Sequence, residues 1–225
     1  MALYAIGDIH GHTKLLKALI SAISLSDEDT LVFTGDYVDK GPDVKGTIDF
    51  LIEVDSLFNC VFLMGNHDQS LLDAYDDTKK IAIWECLAGE LPIVSYGKGN
   101  AESVLSLIPL PHINFLRTTC VNFYETDSYI FVHAGIRSYL SPVEEEIERL
   151  QWSSLSFAEP HISGKTVVCG HSAQQSGRIA DLGHTICIDT GVTKGLPLTC
   201  LNLDDFSFVQ LTHEYEVIEG YLRSE

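Results

Sequence analysis

Basic residues are scarce in this sequence. Its 225 residues include only 14 lysines and arginines against 32 aspartates and glutamates, so the formal net charge is −18 with histidine neutral. Nucleic-acid binding depends on basic side chains that neutralise phosphates, and anionic membrane surfaces also attract basic segments. We therefore expect neither a nucleic-acid nor a membrane partner. The scarcity of basic residues does not exclude a small phosphorylated substrate, because a local positive site can override the overall negative field.

Long apolar runs and paired cysteines are also missing. No stretch approaches the ~18 consecutive apolar residues that a membrane-spanning helix needs. The segment MALYAIGDIHGH has no basic region and reaches Asp8 early, unlike a signal peptide, so we expect a cytoplasmic protein. The six cysteines form no C-x-x-C pair, which removes support for a zinc ribbon or a thioredoxin-like site. Buried free thiols in a reducing compartment are expected instead.

The length fits one domain over residues 1–225, and a chain of this size can bury a large core. In the first third, three predicted strands end at Asp8, at Asp36 and just before Asn66. Amphipathic helices over residues 15–23 and 44–54 separate them. Successive βαβ units of this kind favour a parallel or mixed sheet covered by helices.

The middle of the chain has a different pattern. Residues from about 70 to 118 look mostly helical and predict a helical cap or insertion. Its expected packing residues are Ile81, Ile83, Trp84 and Leu87. Short β-rich runs dominate from residue 119 onward. The acidic run Glu144, Glu145, Glu146 and Glu148 lies between strands and is interpreted as a solvated helix face.

Polar residues and glycines follow five predicted strands. The segments are Gly-Asp8-Ile-His10-Gly, Gly-Asp36, Gly-Asn66-His67-Asp, His133-Ala-Gly and Gly-His171-Ser. Ligands of open α/β sheets bind beyond the carboxyl ends of the strands, so these side chains are predicted to converge. A mixed oxygen and nitrogen set without thiolate suits Mn, Fe or Zn better than Ca or Mg. The surplus of ligands predicts two ions that share a bridging carboxylate.

Each residue taken singly has an ordinary structural interpretation. An aspartate after a strand often caps a helix, and a lone buried histidine is more often a satisfied core residue than a ligand. The complete set, in this order and each member after an apolar strand, favours the metal site.

As a set, these motifs resemble the phosphoprotein phosphatase branch of the calcineurin-like metallophosphoesterases, from Gly7 to about Thr199. The resemblance implies an α/β fold with two mixed β-sheets in a sandwich flanked by helices, and a site at one edge. It also implies that Asp8 and His10 hold the first ion and that Asp36 bridges both. Asn66, His133 and His171 would complete the second site. Mn is the preferred metal, with Fe and Zn as alternatives.

The resemblance further implies direct in-line attack on phosphorus by a hydroxide that bridges the two ions. His67 would be the general acid that protonates the leaving oxygen, with Asp39 orienting its imidazole. The alternative role for His67 is that of another metal ligand.

Two positions depart from the family pattern. Lys40 stands where an arginine is usual, and Ser154 occupies the arginine position of a W-x-R-x-x-F motif. A lysine can neutralise a phosphate oxygen but lacks the bidentate fork of arginine. Lys40, Asn66 and Arg137 are the predicted contacts of the substrate phosphate. A surface or structural role for Arg137 is at least as strong an interpretation.

Three functions remain open. The first is a phosphomonoesterase acting on phosphoserine, phosphothreonine or phosphotyrosine in proteins, which Asp39 favours. The second is a symmetrical dinucleoside tetraphosphate hydrolase of the same superfamily, whose members usually lack an acid at the Asp39 position. The third is a non-catalytic metal-binding scaffold. Only the absence of arginine at positions 40 and 154 favours it.

Overall fold

Two mixed β-sheets form the centre of the protein in a computed structural model that describes residues 2–89 and 95–223. The first sheet has six strands in the spatial order β11 (Val217–Tyr221), β10 (Ser207–Leu211), β9 (Leu198–Asn202), β1 (Leu3–Ile6), β2 (Thr30–Phe33) and β3 (Asn59–Phe62). Strands β1, β2 and β3 are parallel, as two successive βαβ units require. Strand β9 pairs antiparallel with β1, and β10 and β11 extend the sheet in antiparallel fashion.

The second sheet comes from the later part of the chain. Its spatial order is β4 (Phe123–Glu125), β5 (Tyr129–Val132), β6 (Thr166–Cys169), β8 (Thr185–Cys187) and β7 (Ala180–Asp181). Strands β5, β6 and β8 are parallel, whereas β4 and β7 are antiparallel edge strands.

The described helices lie between and around these strands. They are α1 (Thr13–Ala22), α2 (Val44–Leu57), α3 (Asn66–Asp76), α4 (Ile81–Ala88), α5 (Ala101–Leu105), α6 (Leu110–Asn114) and α7 (Ile147–Trp152). The Asp43 carboxylate accepts a hydrogen bond from the Gly46 N–H and caps α2. None of the helices within residues 2–89 and 95–223 has the length and apolarity needed to cross a membrane.

Alternating side chains divide the core into three layers. In β1, Ala5 packs between the two sheets with residues such as Phe131 and Val168 of the second sheet. The next residue, Ile6, faces the opposite side and packs against α1 and α2. The outer face of the second sheet is covered by Leu150 of α7. This order of helix, sheet, sheet and helix confirms the predicted fold class, because period-two burial gives each sheet two apolar faces.

Several local predictions were wrong. Ile83 is 62% exposed rather than packed, because Trp84 faces the core in its place. The acidic run is not a helix face, because Glu144, Glu145 and Glu146 precede α7. Glu145 is also buried, and its carboxylate accepts the Arg137 N–H and pairs with the Arg137 guanidinium. Cys86 is exposed. Strand β11, at the edge of the first sheet, was not predicted. Part of the predicted cap over 70–118, residues 90–94, lies outside the described residues.

Candidate metal centre

The predicted metal ligands follow the carboxyl ends of strands in both sheets. Asp8 and Asp36 come two and three residues after β1 and β2, and Asn66 opens α3 after β3. His133 directly follows β5, and His171 comes two residues after β6. All of these side chains except that of His171 are almost wholly buried. The parallel strands therefore bring residues that are distant in the chain to one edge of the sandwich.

Two groups of donor atoms are close enough to hold an ion. One atom each from His10, Asp36 and His67 lie within 4.8 Å of one another. The same is true of one atom each from Asp36, His133 and His171. Asp36 belongs to both groups, which is the relationship that a carboxylate shared by two ions requires.

Asn66 joins the second group. Its side-chain oxygen lies 3.0 Å from His133 Nε2 and 3.0 Å from His171 Nδ1. The ring of His133 is oriented by its other nitrogen, which lies 2.7 Å from the Thr34 carbonyl oxygen. That carbonyl can only accept, so His133 Nδ1 donates and Nε2 is left with a lone pair for a cation.

Asp8 lies beside these groups rather than within them. Its Oδ1 accepts a hydrogen bond from the Thr34 hydroxyl at 3.1 Å, and its Oδ2 accepts the backbone N–H of His171 at 2.9 Å. Gly170 approaches this carboxylate so closely that a β-carbon there would collide with it. The second sheet is thus in direct contact with an acid of the first.

His67 is oriented as a proton donor would need to be. Its Nδ1 lies 2.9 Å from Asp39 Oδ2, and the other Asp39 oxygen accepts the Trp84 indole N–H at 3.0 Å. The His67 ring meets the His10 ring edge to face, with centroids 4.8 Å apart. His67 also belongs to the first donor group, so its roles as general acid and as metal ligand both stay predictions.

Asp68 was missed by the sequence analysis. It is fully buried, and its carboxylate accepts the backbone N–H groups of Asp36, Tyr37, Val38 and Gly65 at 2.8, 3.0, 3.2 and 3.0 Å. Four such bonds fix the turn that carries Asp36 and the start of α3. The signal was an acidic residue directly after Asn66-His67, inside the motif itself.

Asp189 was also missed as a site residue. It is only 5% exposed, and one carboxylate oxygen accepts the Gly191 N–H. Burial raises the pKa of Asp189. Its charge is among those that raise the pKa of Asp8, so the two acids are close enough for their charges to interact.

The backbone around the centre is strained. His10, Asp36, Asp39, Lys40 and His171 have φ angles of 44, 54, 67, 60 and 62°. Left-handed conformations are unfavourable for residues with a β-carbon, by about 1 to 2 kcal/mol. Phe206 and Tyr215 are the other two such residues that are recorded in the described part of the chain. The concentration of strain at one edge agrees with a functional site there.

The electrostatics favour a cation. Burial, Asp189 and Asp36 raise the pKa of Asp8 well above its usual range. Burial also acts to raise the pKa of Asp36, but His133 and His10 outweigh it and hold that pKa well below normal. Burial, with His133, lowers the pKa of His171 to about 4, so this imidazole is neutral near pH 7. Buried carboxyl groups, the imidazoles of His133 and His171 and the Asn66 amide oxygen together form a donor set that fits divalent metal ions.

The predicted phosphate contacts differ in their surroundings. The exposed Lys40 reaches the centre, with Nζ 3.4 Å from His10 Nε2. Arg137 pairs with Glu145 at 3.1 Å and Glu146 at 2.8 Å, an arrangement that matches the structural role left open for it. Ser154 is uncharged, and its hydroxyl bonds the Ser156 hydroxyl at 2.9 Å, so this position gives the site no cation.

Comparison with known proteins agrees with this arrangement. The family model described as calcineurin-like phosphoesterase matches residues 1–193. The chain belongs to this family. The family depends on two metal ions, and the two donor groups of this metallophosphoesterase could hold them.

The curated relatives share a printed name. The chain is 42% identical over 76 residues to the symmetrical bis(5'-nucleosyl)-tetraphosphatase of Pectobacterium carotovorum subsp. carotovorum, over 33% of this chain and 26% of that protein. It is 30% identical over 142 residues to the enzyme of the same name from Cellvibrio japonicus, over 60% and 46%. The matched part of this metallophosphoesterase thus spans a quarter to a half of these relatives.

Solved structures support the fold. A crystal structure of a candidate diadenosine tetraphosphatase superimposes with a TM-score of 0.67 at 20% identity, over 97% of this metallophosphoesterase and 92% of that chain. A cold-active protein-tyrosine phosphatase from a psychrophilic Shewanella species gives 0.59 at 18% identity, over 97% and 80%. At such identities the likeness concerns the fold alone.

Proposed function

We propose that this metallophosphoesterase hydrolyses dinucleoside tetraphosphates symmetrically, with two nucleoside diphosphates as products. The observation that carries the proposal is the double donor group around Asp36, in a chain whose curated relatives are named symmetrical bis(5'-nucleosyl)-tetraphosphatases. Two donor groups at one edge suit the cleavage of a phosphoric anhydride, which places negative charge on both the attacking and the leaving side.

The residues divide into two sets of ligands in this proposal. Asp8, His10 and Asp36 hold one divalent cation, and Asp36, Asn66, His133 and His171 hold the other. Mn²⁺ is the preferred ion, with Fe and Zn as alternatives. When bound, such a pair of cations polarises the phosphoryl oxygens and provides a water of lowered pKa.

The protein's own groups supply orientation and a proton. His67 donates a proton from Nε2 to the leaving phosphate oxygen, because Nδ1 is engaged by Asp39 at 2.9 Å. Trp84 in turn prevents the Asp39 carboxylate from rotating, through its bond to the other oxygen. Lys40 is exposed beside His10 and neutralises a phosphate oxygen as a point charge.

The contact between His67 and Asp39 also favours a second candidate function. A nucleoside diphosphate is a weakly basic leaving group, whereas a serine or threonine alkoxide is strongly basic and needs a general acid most. A histidine that a carboxylate orients as a proton donor therefore supports phosphomonoester hydrolysis, including that of phosphoserine, phosphothreonine or phosphotyrosine in proteins. The retention of every predicted ligand and of His67 argues against a non-catalytic scaffold.

Parallel assays separate these functions. Metal-stripped protein is incubated with and without Mn²⁺ on diadenosine tetraphosphate, an aryl phosphate, a phosphoserine peptide and a phosphotyrosine peptide. We expect Mn²⁺-dependent conversion of the dinucleotide to ADP, with D36N inactive and the exposed control D205N unchanged. Phosphate release from the monoesters alone would replace the proposal with the second candidate. Inactivity on all four substrates, with metal bound, would overturn both.

A further inference from the structure

We propose that a groove beside the metal centre binds the nucleobase of a nucleoside phosphate and that Trp152 stacks on the base. This inference rests on the proposed function for the phosphate end of the ligand and adds a subsite for the other end. The groove has a volume of about 480 Å³. Pockets that hold small molecules commonly measure roughly 300–1,000 Å³.

The groove begins at the metal centre. Asn66, whose side-chain oxygen contacts His133 and His171, is one of its lining residues. Trp152, at the end of α7, lines the same groove, and its ring lies 6.1 Å from the His171 ring, centroid to centroid. A ligand whose phosphate reaches the metal centre can therefore place its organic part directly against Trp152.

The walls of the groove expose apolar surface. Helix α4 contributes Ile83, which is 62% exposed, together with Leu87 and the exposed Cys86. Trp152 is 46% exposed. An exposed indole and an exposed aliphatic side chain that line one groove form the kind of patch that a flat aromatic ligand covers.

The polar groups of the groove disfavour the binding of phosphate and favour that of a nucleobase. Asp73 lines the groove, and its negative charge repels phosphate, although Lys80 pairs with it at 2.8 Å. Gln69 donates its amide N–H to Asp73, so its carbonyl oxygen keeps its capacity to accept. Ser70 adds a hydroxyl to the same wall. A neutral heterocycle with donors and acceptors on its edge matches these groups.

The test compares two ligands that differ only in the base. Calorimetric titration of the Mn²⁺-loaded protein uses AMP and ribose 5-phosphate as their non-hydrolysable phosphonate analogues. Both parent ligands are phosphomonoesters, so the analogues are needed to measure binding without turnover. We expect AMP to bind about 10-fold more tightly, as one base stacked on an aromatic side chain would give. Exposed Trp152 should also lose fluorescence with AMP and not with ribose 5-phosphate. Equal affinities for the two ligands would overturn the proposal.

Variants assign the difference to the groove. W152A and I83A should each weaken AMP binding several-fold and bring it toward that of ribose 5-phosphate, whereas W152F should retain most of it. Y139A removes another aromatic side chain, which is 66% exposed. It should change neither the affinity for AMP nor that for ribose 5-phosphate. Ile83 belongs to α4, which carries none of the predicted metal ligands, so I83A tests the groove even if W152A disturbs His171. If W152A and I83A weakened the binding of AMP and of ribose 5-phosphate equally, recognition of the base would be contradicted.

The result is separable from the proposed function. If AMP binds through Trp152 but diadenosine tetraphosphate is not cleaved, the subsite stands and the symmetrical tetraphosphatase activity fails. If the dinucleotide is cleaved and AMP shows no advantage over ribose 5-phosphate, the activity stands and the subsite fails. Dependence on Trp152 for a phosphotyrosine peptide only, with AMP unaffected, would also overturn the nucleobase assignment.

Discussion

Asp39 Oδ2 lies 2.9 Å from His67 Nδ1, and Asp39 is held from its other side by the Trp84 indole. Burial raises the pKa of Asp39, while His67 and Trp84 act in the opposite direction. The carboxylate therefore has a partner for each oxygen, and its side chain is fully buried. This arrangement fixes the imidazole ring and leaves Nε2 as the nitrogen available to a substrate.

The first prediction concerns this pair. H67A should keep two bound metal ions but hydrolyse an alkyl phosphate about 10²- to 10⁴-fold more slowly, because the alkoxide leaves unprotonated. The loss on an aryl phosphate or on diadenosine tetraphosphate should be smaller, since those leaving groups are weaker bases. Turnover of each substrate and the metal content of the variant check this. H184A, which removes a half-buried histidine beside β8, is the control.

An unchanged rate on the alkyl phosphate would rule out the role of general acid. A variant that has lost one equivalent of metal would instead identify His67 as a ligand, as its place in the first donor group allows.

The second prediction concerns Lys40. K40R should lower the inhibition constant of inorganic phosphate a few-fold, because a guanidinium can hold two phosphate oxygens where the ammonium holds one. The left-handed backbone at this position tolerates both residues equally. K17R, on the exposed face of α1, should leave the constant unchanged. Weaker inhibition by phosphate in K40R would count against direct contact.

The third prediction concerns Asp68. D68N should reduce Mn²⁺ affinity about 10- to 100-fold, because the amide replaces one acceptor oxygen with a donor that faces backbone N–H groups. The turn that carries Asp36 then loses part of its support. Metal titration and the Tm of the variant measure the effect, with the exposed D77N as control. Wild-type metal affinity in D68N would show that the turn is held by its other contacts.

The fourth prediction is a pH dependence of the metal-free protein. Burial and Asp36 raise the pKa of Asp68 to about 8, and the pKa of Asp8 is also raised. Between about pH 7 and 8 an unfolded Asp68 has already lost its proton, whereas native Asp68 still holds it in part. Stability must then fall as pH rises. The lowered pKa values of His133 and His171 act only below about 6.5, outside this window.

Thermal unfolding in a chelator should accordingly show a declining Tm from pH 7 to pH 8, and added Mn²⁺ should suppress the decline. A Tm that is constant or rises over this interval in the chelator would mean that the buried acids are ionised without a cation.

The convergence of the ligands could be predicted because parallel strands end at a common edge, and each candidate stood at such an end. Which apolar side chains of a helix are buried could not be predicted from the sequence. Ile83 and Trp84 are adjacent apolar residues of α4, and only the packing of α4 determines which of them faces inward. Asp68 accepts the backbone N–H of nearby Gly65 and that of the distant Asp36, so its role depends on a tertiary contact that the sequence does not show. Strand β11 exists only through pairing with β10.

The distribution of the candidate ligands over the chain has a consequence for biosynthesis. Asp8, Asp36 and Asn66 come from the first sheet, whereas His133 and His171 come from the second. A growing polypeptide therefore contains no complete second donor group until the ribosome has passed His171. The first sheet is itself unfinished until β9 pairs with β1. Occupation of the second donor group during translation must therefore be a late event, whereas His10, Asp36 and His67 of the first group are all present once residue 67 has been made.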